Sequence, residues 1–398
     1  MKKVVAIILS IVLVLSHSVI AFAGGSGDND VLKFDENGEF TIFNICDMQD
    51  DFPMNKTAIT FIKDMIKLHH PDIVVLGGDN TTASKETKAD AVKEICDIFV
   101  ETQTYFTFVF GNHDDEQGVS REELFEMYKL YGGEYCLAYD AVPELTGVGT
   151  HNLTVKSSDG SKIAYNLYMF DSNSYAYDED GNKLGYDCVH TDQIEWYKST
   201  SAEVKKANGG ETVKGMAFQH IIVQEIYEEM FYKIPFSVGK ATVNFDGQSY
   251  TYLPYVYNIN EGILLEAPCP GYYNYGQFDA FVETGDIVAV LSGHDHLNSF
   301  IVEKDGVDIV NTPSCTFGSY GDYSNRGIRM LTINEKDTSV YETDMLTVTE
   351  YVLGDGAYLA EYGDFSKAEA VLGVFESVFF KLYFQITDVI YLLSGVKL

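Results

Sequence analysis

The sequence predicts an α/β fold of layered sheets and helices with at least partly parallel strand pairing. Short apolar runs rich in β-branched and aromatic residues recur along the chain and end on turn residues. Segments of helical periodicity lie between several of them. The resulting order of strand, helix, strand, helix, strand is that of an α/β protein, with helices on the faces of its sheets.

The runs are "FTIFNI" (residues 40–45), "DIVVLGG" (72–78), "YFTFVFG" (105–111), "AYNLYMF" (164–170), "KGMAFQ" (214–219) and "DIVAVLS" (286–292). Their short lengths and Gly, Asp or Asn endings favour buried strands over helices. The helical segments carry their own punctuation. Residues 55–70 place Ile59, Ile62, Met65 and Ile66 on one face, and Pro71 stops the helix. Residues 120–133 open on Ser120 as N-cap with Glu123 in the capping-box position, and Gly132 and Gly133 close them. A third helix begins on Thr191 and ends near Gly209.

Both ends of the chain differ from this pattern. The opening "MKKVVAIILSIVLVLSHSVIAFAGG" has a basic start, a short apolar stretch and a small-x-small site, so residues 1–23 read as a secretory signal. The apolar run falls short of the roughly 20 residues that span a bilayer. An exported, extracytoplasmic protein of 398 − 23 = 375 residues follows. At the other end, residues 366–398 form a long apolar helix candidate with Lys381, Gln385 and Asp388 on one side. That suits a helix lying against protein or on a membrane surface, a peripheral contact. Residues 36–350 are the expected main domain and 351–398 its tail.

Net charge narrows the partners. The chain carries −33, and the signal removes two lysines, leaving −33 − 2 = −35. Such a surface repels nucleic acid and anionic membranes at long range, so nucleic-acid binding is not expected. The six cysteines form no C-x-x-C pair, which argues against a zinc knuckle or a thioredoxin-like motif. Export permits disulfides, but no pairing follows from the spacing.

Five of the six apolar runs terminate in Asp, Asn or His. Asp47 and Gln49 follow the first, Asp79 and Asn80 the second, and Asn112, His113 and Asp114 the third. His220 follows the fifth, and "GHDH" brings His294 and His296 after the sixth. Ligands collect beyond the carboxyl ends of strands in open α/β sheets, so these residues can converge. Oxygen and imidazole donors without cysteine suit Mn, Fe, Zn or Mg. Two histidines two apart project to one side of an extended segment. His69 and His70 sit at a helix C-terminus, while His151 and His190 read as loop residues.

In this order the motifs resemble those of the calcineurin-like metallophosphoesterases: Asp47-Met48-Gln49, Gly78-Asp79-Asn80, Gly111-Asn112-His113-Asp114, Gln219-His220 and Gly293-His294-Asp295-His296. "HTDQIEWY", "YGQFDAFVETGD" and "NRGIRMLTI" also look like segments of a secreted branch related to purple acid phosphatases. The resemblance spans about residues 40 to 335. It implies a four-layer sandwich, two facing mixed β-sheets flanked by α-helices, with an appended C-terminal helix.

The resemblance also implies two divalent ions. Asp47, Gln49, Asp79 and His296 would hold one, and Asp79, Asn112, His220 and His294 the other, with Asp79 bridging. A metal-bridging hydroxide would attack a phosphate mono- or diester, His113 would protonate the leaving alkoxide and Asp114 would orient His113. Position 49 departs from the family, because Gln49 stands where most members have His. A Gln carbonyl is a weaker ligand than imidazole, and the alternative is a neighbour that coordinates nothing. Thr82 stands where purple enzymes have their tyrosinate ligand, so no purple iron centre is expected. Arg326 is the candidate substrate contact. The alternatives from other classes are a non-catalytic binding protein and a membrane-associated scaffold on the same fold.

Overall fold

The computed structural model describes residues 31–234, 241–245, 248–254, 258–315, 317–322 and 324–354, together with Phe375. The expected signal (1–23) and, Phe375 apart, the expected tail helix (366–398) lie outside the described residues. From the amino end the chain runs β1 (Glu39–Ile45), α1 (Lys56–His69), β2 (Ile73–Gly77), α2 (Lys88–Thr102), β3 (Phe106–Val109) and α3 (Arg121–Gly132). It continues through β4 (His151–Lys156), β5 (Ile163–Met169), a hairpin of β6 (Tyr175–Tyr177) and β7 (Lys183–Tyr186), then α4 (Thr191–Ala207), β8 (Gly215–Phe218) and α5 (Ile226–Met230). Next come β9 (Phe231–Ile234), β10 (Ala241–Phe245), β11 (Gln248–Pro254) and α6 (Gln277–Thr284). The last elements are β12 (Ile287–Ser292), β13 (Ile301–Lys304), β14 (Val307–Asn311), β15 (Gly327–Asn334), β16 (Asp337–Thr347) and α7 (Val348–Gly354).

All six apolar runs form strands, and the three helical segments form α1, α3 and α4. Their ends obey local chemistry. The Asn55 side chain accepts the Thr57 N–H at 2.8 Å to start α1. Ser120 and Glu123 form a reciprocal capping box at α3. His190, read as loop, directly precedes α4 as its N-cap, and its N–H donates to Gln193 at 2.8 Å.

Two mixed sheets carry the architecture. One has the order β16-β15-β1-β2-β3, with β1, β2 and β3 parallel; the other has the order β13-β14-β12-β8-β5-β4, with β14, β12, β8 and β5 parallel. Phe40, Ile42, Ile73 and Val75 of the first sheet meet Leu167, Met216, Phe218 and Leu291 of the second. On its far face the first sheet packs Phe43, Val74 and Leu76 against Phe61, Ile95, Phe99 and Leu124 of α1, α2 and α3. The second packs Tyr168, Val290 and Ile309 against Ile194, Tyr197 and Phe281 of α4 and α6. The layers are therefore helix, sheet, sheet, helix, as the four-layer sandwich requires. β2 and β12 are almost wholly apolar because both of their faces are covered. Each buried Phe, Leu or Ile adds about 1.5–3 kcal/mol.

Two expectations change. His151 opens β4 instead of lying in a loop; it is fully buried, with Nε2 2.7 Å from Thr107 Oγ1 and Nδ1 2.6 Å from the Gly149 carbonyl. The boundary at residue 350 falls inside α7, whose Tyr351 ring packs edge-on against Phe61 of α1 at 6.1 Å. None of the six cysteines is joined in a disulfide. Among the described residues no helix is long and apolar enough to cross a membrane.

Candidate metal centre

The carboxyl ends of β1, β2 and β3 deliver Asp47, Gln49, Asp79, Asn112 and His113, and those of β8 and β12 deliver His220, His294 and His296. They meet at one end of the sandwich. One ligand atom each from Asp79, His220 and His294 lies within 4.8 Å of the others, all three residues being buried. His220 Nε2 is 3.2 Å from Asp79 Oδ2 and 3.9 Å from Asp47 Oδ1. His296 Nε2 is 3.5 Å from Asp47 Oδ1. Asn112 joins through its neighbour, because the His113 N–H donates to Asp79 Oδ1 at 2.7 Å.

The backbone departs from ordinary conformations here. Asp47, Gln49, Asp79 and His294 have φ of 51°, 38°, 51° and 71°, half of the left-handed non-glycine residues described. Such residues persist where their surroundings over-determine them, and they cluster at functional sites. His294 is thus not extended; a left-handed turn, not strand alternation, sets the direction of its ring. The glycines before the ligands are needed for close approach. A Cβ on Gly111 would sit 2.2 Å from Asp79 Oδ1, and one on Gly293 would sit 2.6 Å from Asp47 Oδ2.

Hydrogen bonds aim the donor atoms inward. His220 Nδ1 is 3.0 Å from the Gly77 carbonyl and His296 Nδ1 is 2.8 Å from that of Tyr320. Each donates its Nδ1–H to that carbonyl and turns Nε2 to the centre, as metal-binding imidazoles require. The Tyr320 ring also stacks flat on His296, at 4.1 Å and 5°. Asp47 Oδ2 accepts the His294 N–H at 3.0 Å. What remains is a set of buried atoms without hydrogen-bond partners: Asp47 Oδ1, Asn112 Oδ1, His220 Nε2 and His294 Nε2. Unpaired buried polar atoms cost about 1–3 kcal/mol each. Four such atoms at the strand tips, all of ligand type, fit divalent cations.

Ionisation follows the same crowding. Burial raises Asp47 well above the carboxylate range, helped by the charge of Asp79. For Asp79 burial is outweighed by His220, which holds its carboxyl low. Burial opposes charge on His220 too, yet Asp79 and Asp47 push it up to about 10. Burial keeps His294 neutral, with the nearby His220 charge adding to the effect, and lowers His296 to about 4.

Three expected roles are corrected. The Gln49 side chain donates Nε2–H to Asp79 Oδ2 at 2.8 Å, so its amide nitrogen faces the shared carboxylate. Asp114 does not hold His113. Its carboxylate accepts the N–H groups of Gly111 (2.8 Å), Asn80 (2.9 Å) and Thr81 (3.2 Å), because the inward-turned loop amides need an acceptor; burial lifts its pKa to about 6. Instead Glu116 Oε2 sits 2.6 Å from His113 Nδ1. Arg326 is buried and donates to the carbonyls of Ser319 and Gly321 at 3.2 and 3.3 Å, tying the loop that carries Tyr320. Thr82, at the tyrosinate position, donates its hydroxyl to the Gln49 carbonyl at 3.0 Å.

Sequence reasoning also missed Lys88, Glu116 and Tyr175. Lys88 of α2 is buried, with Nζ donating to the carbonyls of Thr81 (3.1 Å) and Asp114 (3.0 Å). Glu116 lies three residues past His113, a spacing that would have nominated it. Nothing local marks the other two. Glu116 and Tyr175 also border an open hollow of about 590 Å³.

The profile of the calcineurin-like phosphoesterase family matches residues 40–298. The chain is 26% identical over 324 residues to probable inactive purple acid phosphatase 14 of Arabidopsis thaliana, covering 73% of this chain and 74% of that protein. Probable inactive purple acid phosphatase 29 of the same plant is 27% identical over 326 residues, covering 73% and 75%. Among solved structures, a dimetal phosphatase from Danio rerio aligns with a TM-score of 0.46 at 10% identity, covering 77% of this chain and 99% of that one.

Proposed function

Since the chain belongs to the calcineurin-like phosphoesterase family, we propose that it hydrolyses phosphate mono- or diesters at this centre with two divalent ions of the Mn, Fe, Zn or Mg kind. The four unpaired, buried ligand atoms at the strand tips carry this reading. Asp47, Asp79 and His296 would hold one ion, with Gln49 beside it; Asp79, Asn112, His220 and His294 would hold the other. Bound there, the ions supply the positive charge that offsets phosphate oxygens and they acidify water.

The chain's own residues do the rest. Asp79 is shared between the two half-sites, and Gln49 and the His113 N–H each bond one of its oxygens, fixing the carboxylate plane. His113 is partly open to solvent. With Nδ1 held by Glu116, its Nε2 is the atom that passes a proton to the leaving oxygen. Export directed by residues 1–23, read as a secretory signal, is part of the same proposal.

Two observations favour a second reading, a phosphate-binding scaffold without turnover. Gln49 presents its amide nitrogen to Asp79 where most of the family has imidazole, and the two Arabidopsis relatives above carry the name probable inactive purple acid phosphatase. Metal analysis of protein loaded with Mn, followed by a panel of alkyl and p-nitrophenyl phosphate esters, separates the two. Turnover supports the hydrolase; two bound ions without turnover support the scaffold. Gln49→His is expected to tighten the weaker ion roughly 10-fold by calorimetry, following the usual preference for imidazole. Unchanged affinity would make position 49 a neighbour of the ions and not a ligand.

A further inference from the structure

The β6–β7 hairpin pairs with neither large sheet, yet it carries a side chain into the centre. The Tyr175 hydroxyl donates to Glu116 Oε1 at 2.5 Å and accepts from Asn112 Nδ2 at 3.2 Å. A phenol has one O–H and free lone pairs, so the two bonds form together. Glu116 turns its other oxygen to His113 Nδ1 at 2.6 Å. Asn112, its amide hydrogens directed to Tyr175, points Oδ1 into the interior, where that atom is buried and unpaired. One hydroxyl thus touches both the expected ligand amide and the carboxylate behind the expected proton donor.

Tyr175 is itself braced. Its ring stacks on Tyr186 at 5.7 Å, and the Lys183 ammonium lies 3.0 Å from the ring centroid. Tyr186 meets the His294 ring edge-on at 4.2 Å. Side chains behind metal ligands and catalytic imidazoles fix tautomer and direction, and losing them costs roughly 10- to 100-fold in metal affinity or activity.

We propose that Tyr175 and Glu116 are positioning residues: the hairpin sets Asn112 for metal binding and, through Glu116, sets His113 for proton transfer, so that both depend on one hydroxyl. This rests on the phosphoesterase reading above. The test uses the full-length protein, wild type, Tyr175→Phe and Glu116→Gln, with Mn affinity from calorimetry and rates on matched alkyl and p-nitrophenyl phosphate esters. Tyr175→Phe keeps the ring stack and is expected to weaken Mn binding roughly 10-fold. It should also lower the alkyl-to-p-nitrophenyl rate ratio. Glu116→Gln is expected to lower that ratio by roughly 10-fold or more, because proton donation matters most for basic leaving groups.

Wild-type Mn affinity in Tyr175→Phe would overturn the link to Asn112. Equal loss on both esters in Glu116→Gln would overturn the link to His113. If Glu116→Gln does not fold, the ratio measured in Tyr175→Phe decides that second point. A wild-type protein that binds Mn and hydrolyses nothing would remove the phosphoesterase reading, while the Mn affinity of Tyr175→Phe would still judge the Asn112 link.

Discussion

The two sheets bring different chemistry to the same place. The first, through β1, β2 and β3, supplies oxygen donors on Asp47, Asp79 and Asn112, with Gln49 beside them; the second, through β8 and β12, supplies the imidazoles of His220, His294 and His296. They are held by opposite backbone polarity. Carboxylates need N–H groups: Asp79 takes that of His113, and Asp47 that of His294, which its left-handed backbone turns inward. Imidazoles need carbonyls, which Gly77 and Tyr320 give to His220 and His296. The supports also cross. Asp47 of the first sheet leans on the second, and His220 of the second leans on the first, so neither half of the centre is complete without the other sheet.

The largest expected effect strikes the oxygen side. Asp79→Asn removes the charge shared between the half-sites, and metal-dependent hydrolysis should vanish, with metal analysis showing fewer than two ions per chain. Full activity with full metal would mean that the oxygen side holds no bridge. Next, His113→Ala should slow alkyl esters by roughly 10²- to 10⁴-fold and p-nitrophenyl esters much less. Equal slowing would deny it the proton-donor role while leaving both sheets' ligands intact.

A smaller effect sharpens the contrast in support. Lys88 is the one lysine buried among the described residues, and it ties together two loops of the oxygen side. Lys88→Met leaves two interior carbonyls unpaired and should cost about 3 kcal/mol in denaturant unfolding. A cost below about 1 kcal/mol would show that the loops hold without it.

A last effect, about as large as that of Lys88, contrasts the imidazoles of the centre with a buried histidine outside it. Burial holds His151 at about 4 against an ordinary 6.5. The unfolded chain therefore takes up a proton below about pH 6.5, which the folded one refuses until about pH 4. Stability should fall as pH drops through that window, by up to roughly 1.4 kcal/mol per pH unit. His151→Gln should flatten this part of the profile; unfolding midpoints measured from pH 4 to 7 that keep the wild-type slope would refute it.

Strands were legible because burial on both faces demands unbroken apolar runs such as "DIVVLGG", and helices because caps such as Ser120 and Glu123 act within four residues. The cluster of donor side chains at the strand tips was legible through the fixed order of its motifs. The partner of His113 was not, since Asp114 and Glu116 are both acids within reach in sequence and only the path of the loop chooses between them. His151 looked like a loop residue because a strand that begins on a buried imidazole carries no apolar signal at its first position. Arg326 suggested substrate and instead ties down a loop, a choice made by neighbouring carbonyls that spacing does not reveal.

By itself the sequence determined the alternation of strands and helices, their caps and the donor atoms waiting at the strand ends, because those depend on side-chain type and local periodicity. The tertiary structure alone decided which acid backs which imidazole, where the buried lysine goes and how a small hairpin reaches the centre. Hydrogen bonds of that kind form between segments distant in the chain, and their geometry exists only once the two sheets have packed face to face.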